Sequence, residues 1–167
     1  MEITKEKFDL VCEIYAKWKE LNISIKSISS RGVNFPDSVS EPIVCYAFNY
    51  EWNNNNKAGD ATSKLGELIE IKATSNFDVD LSSFSPNTHF DKLIFVRLDQ
   101  ENDLAYIYDL GLNFEQFQNL EVSKKETVLD QQKQIRRPRL SLIQYINNNE
   151  IKPLYYVDFR QKSVKKI

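Results

Sequence analysis

Three segments with the period of strands lie in the middle of this chain, and segments with helical period flank them. Glu67 to Thr74 (ELIEIKAT) alternates: Ile69, Ile71 and Ala73 fall on one side, Glu70 and Lys72 on the other. Lys92 to Leu98 (KLIFVRL) and Leu104 to Leu110 (LAYIYDL) follow, joined by the polar turn QEND. Ahead of them, Thr4 to Leu21 repeats Phe8, Cys12, Tyr15, Trp18 and Leu21 at three- and four-residue steps, which predicts a helix with one apolar stripe. The loop SISSRGVNFPDSVS comes next, with Gly32 and Pro36 as breakers, then a helix from about Glu41 to Tyr50 with Ser40 as N-cap and Pro42 in its first turn. The run NNNNK at 53–57 reads as a polar loop. Past the strands, Asn113 with Gln116 marks a helix start. Ser123 with Glu126 has capping-box spacing for a helix to about Gln134. Leu140 to Ile146 reads as a short helix, Leu154 to Phe159 as a late strand, and Lys162, Lys165 and Lys166 as a frayed tail. The order predicts a mixed α/β (α+β) fold, a central mixed β-sheet flanked by helices, and not a doubly wound one.

The 167 residues fit one domain, with 10 Phe, 8 Tyr and 2 Trp to fill its core. No apolar run is long enough to span a bilayer, and the N-terminus lacks the apolar stretch of a signal peptide, so a soluble, cytoplasmic protein is expected. In that compartment Cys12 and Cys45 are expected as buried thiols. A single histidine, His89, argues against a His-rich zinc site. The net charge of −2 conceals a division: residues 133–167 carry nine basic side chains against Glu150 and Asp158 alone. A basic C-terminal fifth suggests a polyanion partner for one face, although a solvated tail would carry the same charge.

Chemistry concentrates in GDATSKLGELIEIKAT, residues 59–74. A hairpin turning near Lys64-Leu65-Gly66 brings Asp60 back beside Glu70, and Glu70 shares a strand face with Lys72. Two carboxylates and one ammonium at a sheet edge suit phosphodiester hydrolysis. The carboxylates can hold Mg²⁺, and the lysine can stabilise charge on the phosphate, a role it fits better than general base. By spacing alone, a wet strand face carrying Glu and Lys looks the same.

These residues resemble the PD-(D/E)XK nuclease superfamily, with Asp60, Glu70 and Lys72 in the motif positions and Gly59 where the superfamily's name has proline. The runs RGVNFPDSVSEPIVCY, GELIEIKATSNFD, HFDKLIFVRL and DQQKQIRRPRLSL extend the resemblance to small type II restriction endonucleases, most like those that cut GC-N-GC, over about residues 30–160. The resemblance implies a restriction-endonuclease-like core spanning 1–167. It implies Asp60 and Glu70 as metal ligands, with the Ile71 carbonyl as a third, and Lys72 as catalytic lysine. Glu41 resembles the extra acid many of these enzymes carry on a preceding helix, although an acid there also suits its own helix dipole. Mg²⁺ is the implied cofactor, with Mn²⁺ as substitute. Double-stranded DNA is the implied substrate, a homodimer the implied assembly, and a separate methyltransferase the implied protector of host DNA.

The segment 131–160 is expected to supply basic DNA recognition. Gln131 to Arg139 (QQKQIRRPR) holds four cations and no acid. Arg136, Arg137 and Arg139 suit guanine edges, Gln131 and Gln132 can read bases, and Lys133 suits phosphate. Arg31 and Asn34, in the loop before Glu41, and Ser82 and Ser83, after the Glu70 strand, are further candidate DNA contacts. Two rival readings remain: a structure-selective or repair nuclease of the same fold, and a nucleic-acid-binding module without catalysis.

Overall fold

The structure, a computed structural model, describes residues 1–54 and 58–167, so residues 55–57 of the polar run lie outside the described residues. Helices α1 (Lys5–Lys26) and α2 (Asp37–Phe48) precede strands β1 (Glu51–Trp52), β2 (Ala61–Thr62), β3 (Leu68–Thr74), β4 (Ser82–Ser83), β5 (Lys92–Asp99) and β6 (Leu104–Asp109). Then come α3 (Phe114–Gln118), β7 (Glu121–Ser123), β8 (Glu126–Thr127), α4 (Val128–Lys133), β9 (Arg139–Leu140), α5 (Leu142–Asn148), β10 (Tyr155–Asp158) and β11 (Ser163–Lys166). A seven-stranded sheet runs β1-β2-β3-β5-β6-β10-β11, with β3 and β5 parallel and the other pairs antiparallel. This is the mixed sheet flanked by helices that the sequence predicts, in a restriction-endonuclease-like arrangement.

Strand alternation divides the core into two layers. Ile69 and Ile71 of β3 and Ile94, Val96 and Leu98 of β5 face α1 and α2, where Phe8, Tyr15, Trp18, Val39 and Ile43 complete one cluster. Leu93 and Phe95 face the other way, onto Phe84, Phe117, Val128, Leu142 and Ile143. With both faces covered, β5 reads as a nearly unbroken apolar run. Glu70 and Lys72 pair in register with Leu93 and Phe95 and thus take the second face, where apolar residues would otherwise lie.

Several boundaries differ from expectation. α1 runs five residues past Leu21, which is exposed. Asn22 is buried instead: its Oδ1 accepts from the Val33 N–H (2.9 Å) and its Nδ2 donates to Gln100 (3.1 Å). α2 starts at Asp37, with extended Pro36 as its N-cap residue. Ser40 is therefore inside the helix, its hydroxyl directed back at the Pro36 carbonyl (3.4 Å), and Pro42 falls in the second turn. Asn113 caps α3 with Gln116 as predicted. The second capping box is formed by Thr127 and Asp130, while Ser123 and Glu126 flank the tight turn between β7 and β8. The lysine-rich tail is not frayed, because β11 pairs with β10 along four residues. Cys12 and Cys45 are buried and unbridged, and burial pushes the Cys45 thiol up to about 12.

Asp103, within the QEND turn, is buried and accepts from Tyr15 Oη (2.7 Å), Arg160 Nε (2.6 Å) and Lys19 Nζ. Burial alone would raise its carboxyl, but these three donors outweigh burial and hold it below the ordinary range. Asp103→Ala should cost about 2 kcal/mol in urea unfolding, because it strands a buried phenol and two cations. Its stabilisation is present above the ordinary aspartate range and fades as pH falls through the lowered folded value.

Candidate active site

β2 is only two residues long, so it covers β3 no further than Ile69. Beyond that point the edge of β3 is open, and Asp60 stands there. Its N–H donates to the Ile69 carbonyl (2.9 Å), and its Oδ2 accepts from the Ile71 N–H (2.7 Å). The N–H and C=O of one strand residue point to the same side, so the Ile71 carbonyl borders Asp60 as well. Gly59 turns the chain into this position at φ +70°, a conformation closed to proline, whose ring fixes φ near −65°. That backbone favours glycine at position 59.

Glu70 and Lys72 project together from β3, with Lys72 Nζ 2.6 Å from Glu70 Oε1. Lys72 Nζ also lies 5.3 Å from the centre of the Phe84 ring, an apolar wall behind the ammonium. Glu41 comes from α2 and accepts from Trp52 Nε1 at Oε2 (2.6 Å). Burial pushes the Asp60 carboxyl up to about 6, with the Glu70 charge adding to the rise and the Ile71 N–H opposing it. Burial likewise pushes Glu41 up to about 7, opposed by the Trp52 indole and reinforced by Asp60. Asp37, one turn before Glu41, raises both carboxyls further. The expected start of α2 at Glu41 hides Asp37; the four-residue spacing of the two acids was the available signal.

The donor set is hard oxygen, which suits a divalent cation such as Mg²⁺. Among the described residues no three His, Cys, Asp or Glu side chains converge at ligand spacing. A cation here would therefore rest on Asp60 and Glu70, with the Ile71 carbonyl and water completing its shell.

One tie runs from this site to the basic segment. β4 pairs with β9, Ser82 opposite Leu140 and Ser83 opposite Arg139, and the Phe84 N–H donates to the Pro138 carbonyl (2.9 Å). Asp80 clamps the junction. Its Oδ1 accepts from Ser141 Oγ (2.8 Å) and the Ile143 N–H (3.0 Å), and its Oδ2 from Ser82 Oγ (2.9 Å) and the Leu142 N–H (2.9 Å). Asp80 thus caps α5 from a loop that leaves the Glu70 strand. Its partners at α5 lie 61 to 63 positions away, so no local pattern signals this role.

A model of the Bsp6I restriction endonuclease family matches residues 3–149. The type II restriction enzyme Bsp6I of Bacillus sp. (strain RFL6) is 42% identical over 168 residues, spanning all of this chain and 97% of that protein. The chain belongs to the Bsp6I restriction endonuclease family. It is accordingly a type II restriction endonuclease, and residues 3–149 contain Asp60, Glu70, Lys72 and the run from Gln131 to Arg139.

Within this family member the predicted DNA contacts separate into groups. Lys133, Arg137 and Arg139 are exposed. Arg136 is exposed but paired with Glu126, which also accepts from Gln131 Nε2 (3.1 Å). Gln132 is a correction: it is buried, with its Oε1 accepting from Gln118 Nε2 (3.0 Å), and so faces α3 and not solvent. Its position one turn inside α4 on the core side accounts for this. Ser82 is buried in the Asp80 clamp, whereas Ser83 is half-exposed beside Arg139. Arg31 and Asn34 lie exposed in the loop before α2, with the Asn34 carbonyl accepting from Trp18 Nε1 (2.9 Å). His89 is exposed and lies against Phe114, ring centres 4.8 Å apart.

Proposed function

We propose that this chain is one PD-(D/E)XK nuclease domain over 1–167 that hydrolyses phosphodiester bonds of double-stranded DNA at a short palindrome, GC-N-GC, with Mg²⁺ as cofactor. The observation that carries this reading is the convergence of Asp60, Glu70 and Lys72 at the open edge of β3. Family kinship favours it over both a structure-selective nuclease and a non-catalytic binding module.

A divalent cation, with Mn²⁺ able to replace Mg²⁺, would polarise the phosphate and acidify a bound water. The chain's own residues do the rest. Asp60 and Glu70 hold negative charge at a rigid strand edge, and the Ile71 N–H fixes the Asp60 rotamer. Lys72 sets positive charge on the same face, where charge develops on the phosphoryl oxygens. Glu41, with Oε2 engaged by Trp52, orients water through Oε1. Lys133 positions the backbone, while Arg137 and Arg139 present guanidinium forks suited to the O6 and N7 of guanine, in keeping with a G·C-rich site. A palindrome cut in both strands by one site per chain calls for a two-fold homodimer. A cytoplasmic setting and a separate methyltransferase that shields host DNA complete the reading.

A plasmid digest with and without Mg²⁺, with the ends sequenced, tests the proposal. Discrete bands whose ends share GC-N-GC support it. A smear independent of sequence, or no cutting by folded protein in Mg²⁺ or Mn²⁺, overturns it. Asp80→Ala should separate recognition from catalysis. Freeing the β4–β9 junction is expected to raise the DNA concentration for half-maximal cleavage about tenfold. Calorimetric Mg²⁺ affinity should stay unchanged, since Asp80 takes no part in the Asp60–Glu70 pair.

A further inference from the structure

Ile135 has a backbone conformation that its side chain disfavours, at a place where the fold gains nothing from that side chain. It follows α4 at φ +57°, and it is the one β-branched residue at positive φ among the described residues. The Arg136 N–H donates to the Gln131 carbonyl and the Ile135 N–H to the Gln132 carbonyl, both at 2.9 Å. This double bond pattern closes a helix through a left-handed residue, the position where glycine, and next asparagine, is preferred. A β-branched side chain there is strained. Burial does not offset the strain, because Ile135 is 81% exposed and belongs to neither apolar cluster.

Its surroundings favour DNA over a protein partner. Lys133, Gln134, Arg136 and Arg137 surround it in sequence, all exposed, in a stretch with four cations and no acid. The tip is also tied to the reacting centre: Pro138 bonds to Phe84, whose ring lies 5.3 Å from Lys72 Nζ. Three residues of chain from Pro138 to Ile135 reach at most about 10 Å, roughly three base-pair steps along a duplex.

We infer that Ile135 is an apolar wedge that inserts between base pairs of the bound duplex while the neighbouring Lys133 holds a phosphate. The inference rests on the DNA-cleavage reading above. An aliphatic side chain presented by a basic loop is a known means of unstacking and bending DNA. The left-handed residue aims that side chain away from the fold.

The test uses a duplex bearing GC-N-GC with 2-aminopurine at the central position, bound in Ca²⁺ so that it is not cut. Wild type should raise 2-aminopurine fluorescence. Ile135→Gly and Ile135→Asn, both at ease at positive φ, should remove the rise and weaken binding about tenfold. The melting temperature of Ile135→Gly should stay unchanged or rise by about 2–4 °C. Ile135→Met should restore the signal. Binding by wild type without a fluorescence rise, or an unchanged signal in Ile135→Gly, overturns the wedge. A wild type that binds no duplex at all overturns the DNA reading, and the wedge with it.

Discussion

Lys72→Ala should retain DNA binding and lose cleavage by about a hundredfold to a thousandfold, the usual consequence of removing one charge-stabilising donor from a preorganised site. Lys72 contributes no base contact in the proposed arrangement, so a gel-shift constant in Ca²⁺ should barely move. The substitution also leaves Glu70 without its 2.6 Å partner, close to Asp60. Two facing carboxylates without a cation between them should bind a divalent ion at least as well as before. Tighter or equal metal binding with failed turnover would identify the ammonium as part of the chemistry. Cleavage at the wild-type rate would remove Lys72, and with it the motif assignment.

Asp60→Asn should stop cleavage and make the metal-free protein more stable. Burial, with Glu70 nearby, lifts the folded carboxyl from the ordinary 3.8 to about 6. The folded state therefore holds this proton more tightly than the unfolded chain, and ionised Asp60 opposes folding above about pH 6. The penalty is on the order of 3 kcal/mol, from about 1.4 kcal/mol per unit over the rise from 3.8 to about 6, which corresponds to a rise of roughly 6–12 °C in melting temperature. Asparagine keeps an oxygen for the Ile71 N–H and removes the charge. The gap between mutant and wild type should be widest above about pH 6, should shrink as pH falls through that value, and should vanish only below the ordinary 3.8, where the carboxyl is protonated in the unfolded chain as well. Mg²⁺ should then raise the melting temperature of wild type and not that of the mutant. A destabilised Asp60→Asn at pH 8 would contradict this account.

The grouping of Asp60, Glu70 and Lys72 was legible in the sequence because its geometry is local. A seven-residue strand with two-residue alternation puts Glu70 beside Lys72, and one tight hairpin returns Asp60 to the same edge. What stayed hidden depends on contacts between distant residues or on competition between similar signals. Ser123/Glu126 and Thr127/Asp130 both have cap spacing. The second forms because Val128 bonds back to the Leu120 carbonyl and folds 121–127 into a hairpin. α2 gains a turn before Glu41 because Pro36 opens the helix, and that turn carries Asp37 toward the site. The burial of Gln132, the β4–β9 pair and the Asp80 clamp all require packing partners that local pattern does not name.

β11 has a consequence for how the protein behaves in a crowded solution. It closes one end of the seven-stranded sheet, and its outer residues Lys165 and Lys166 are exposed. An outermost strand offers unpaired backbone groups to any other strand that comes alongside, which is how sheets join into aggregates. Two molecules approaching along this border would bring four ammonium groups together. At the opposite border β1 is two residues long and already bridged by Glu2. Both borders thus discourage sheet-to-sheet fusion. Replacing both lysines with threonine would open the β11 border to ribbon-like association without touching the nuclease.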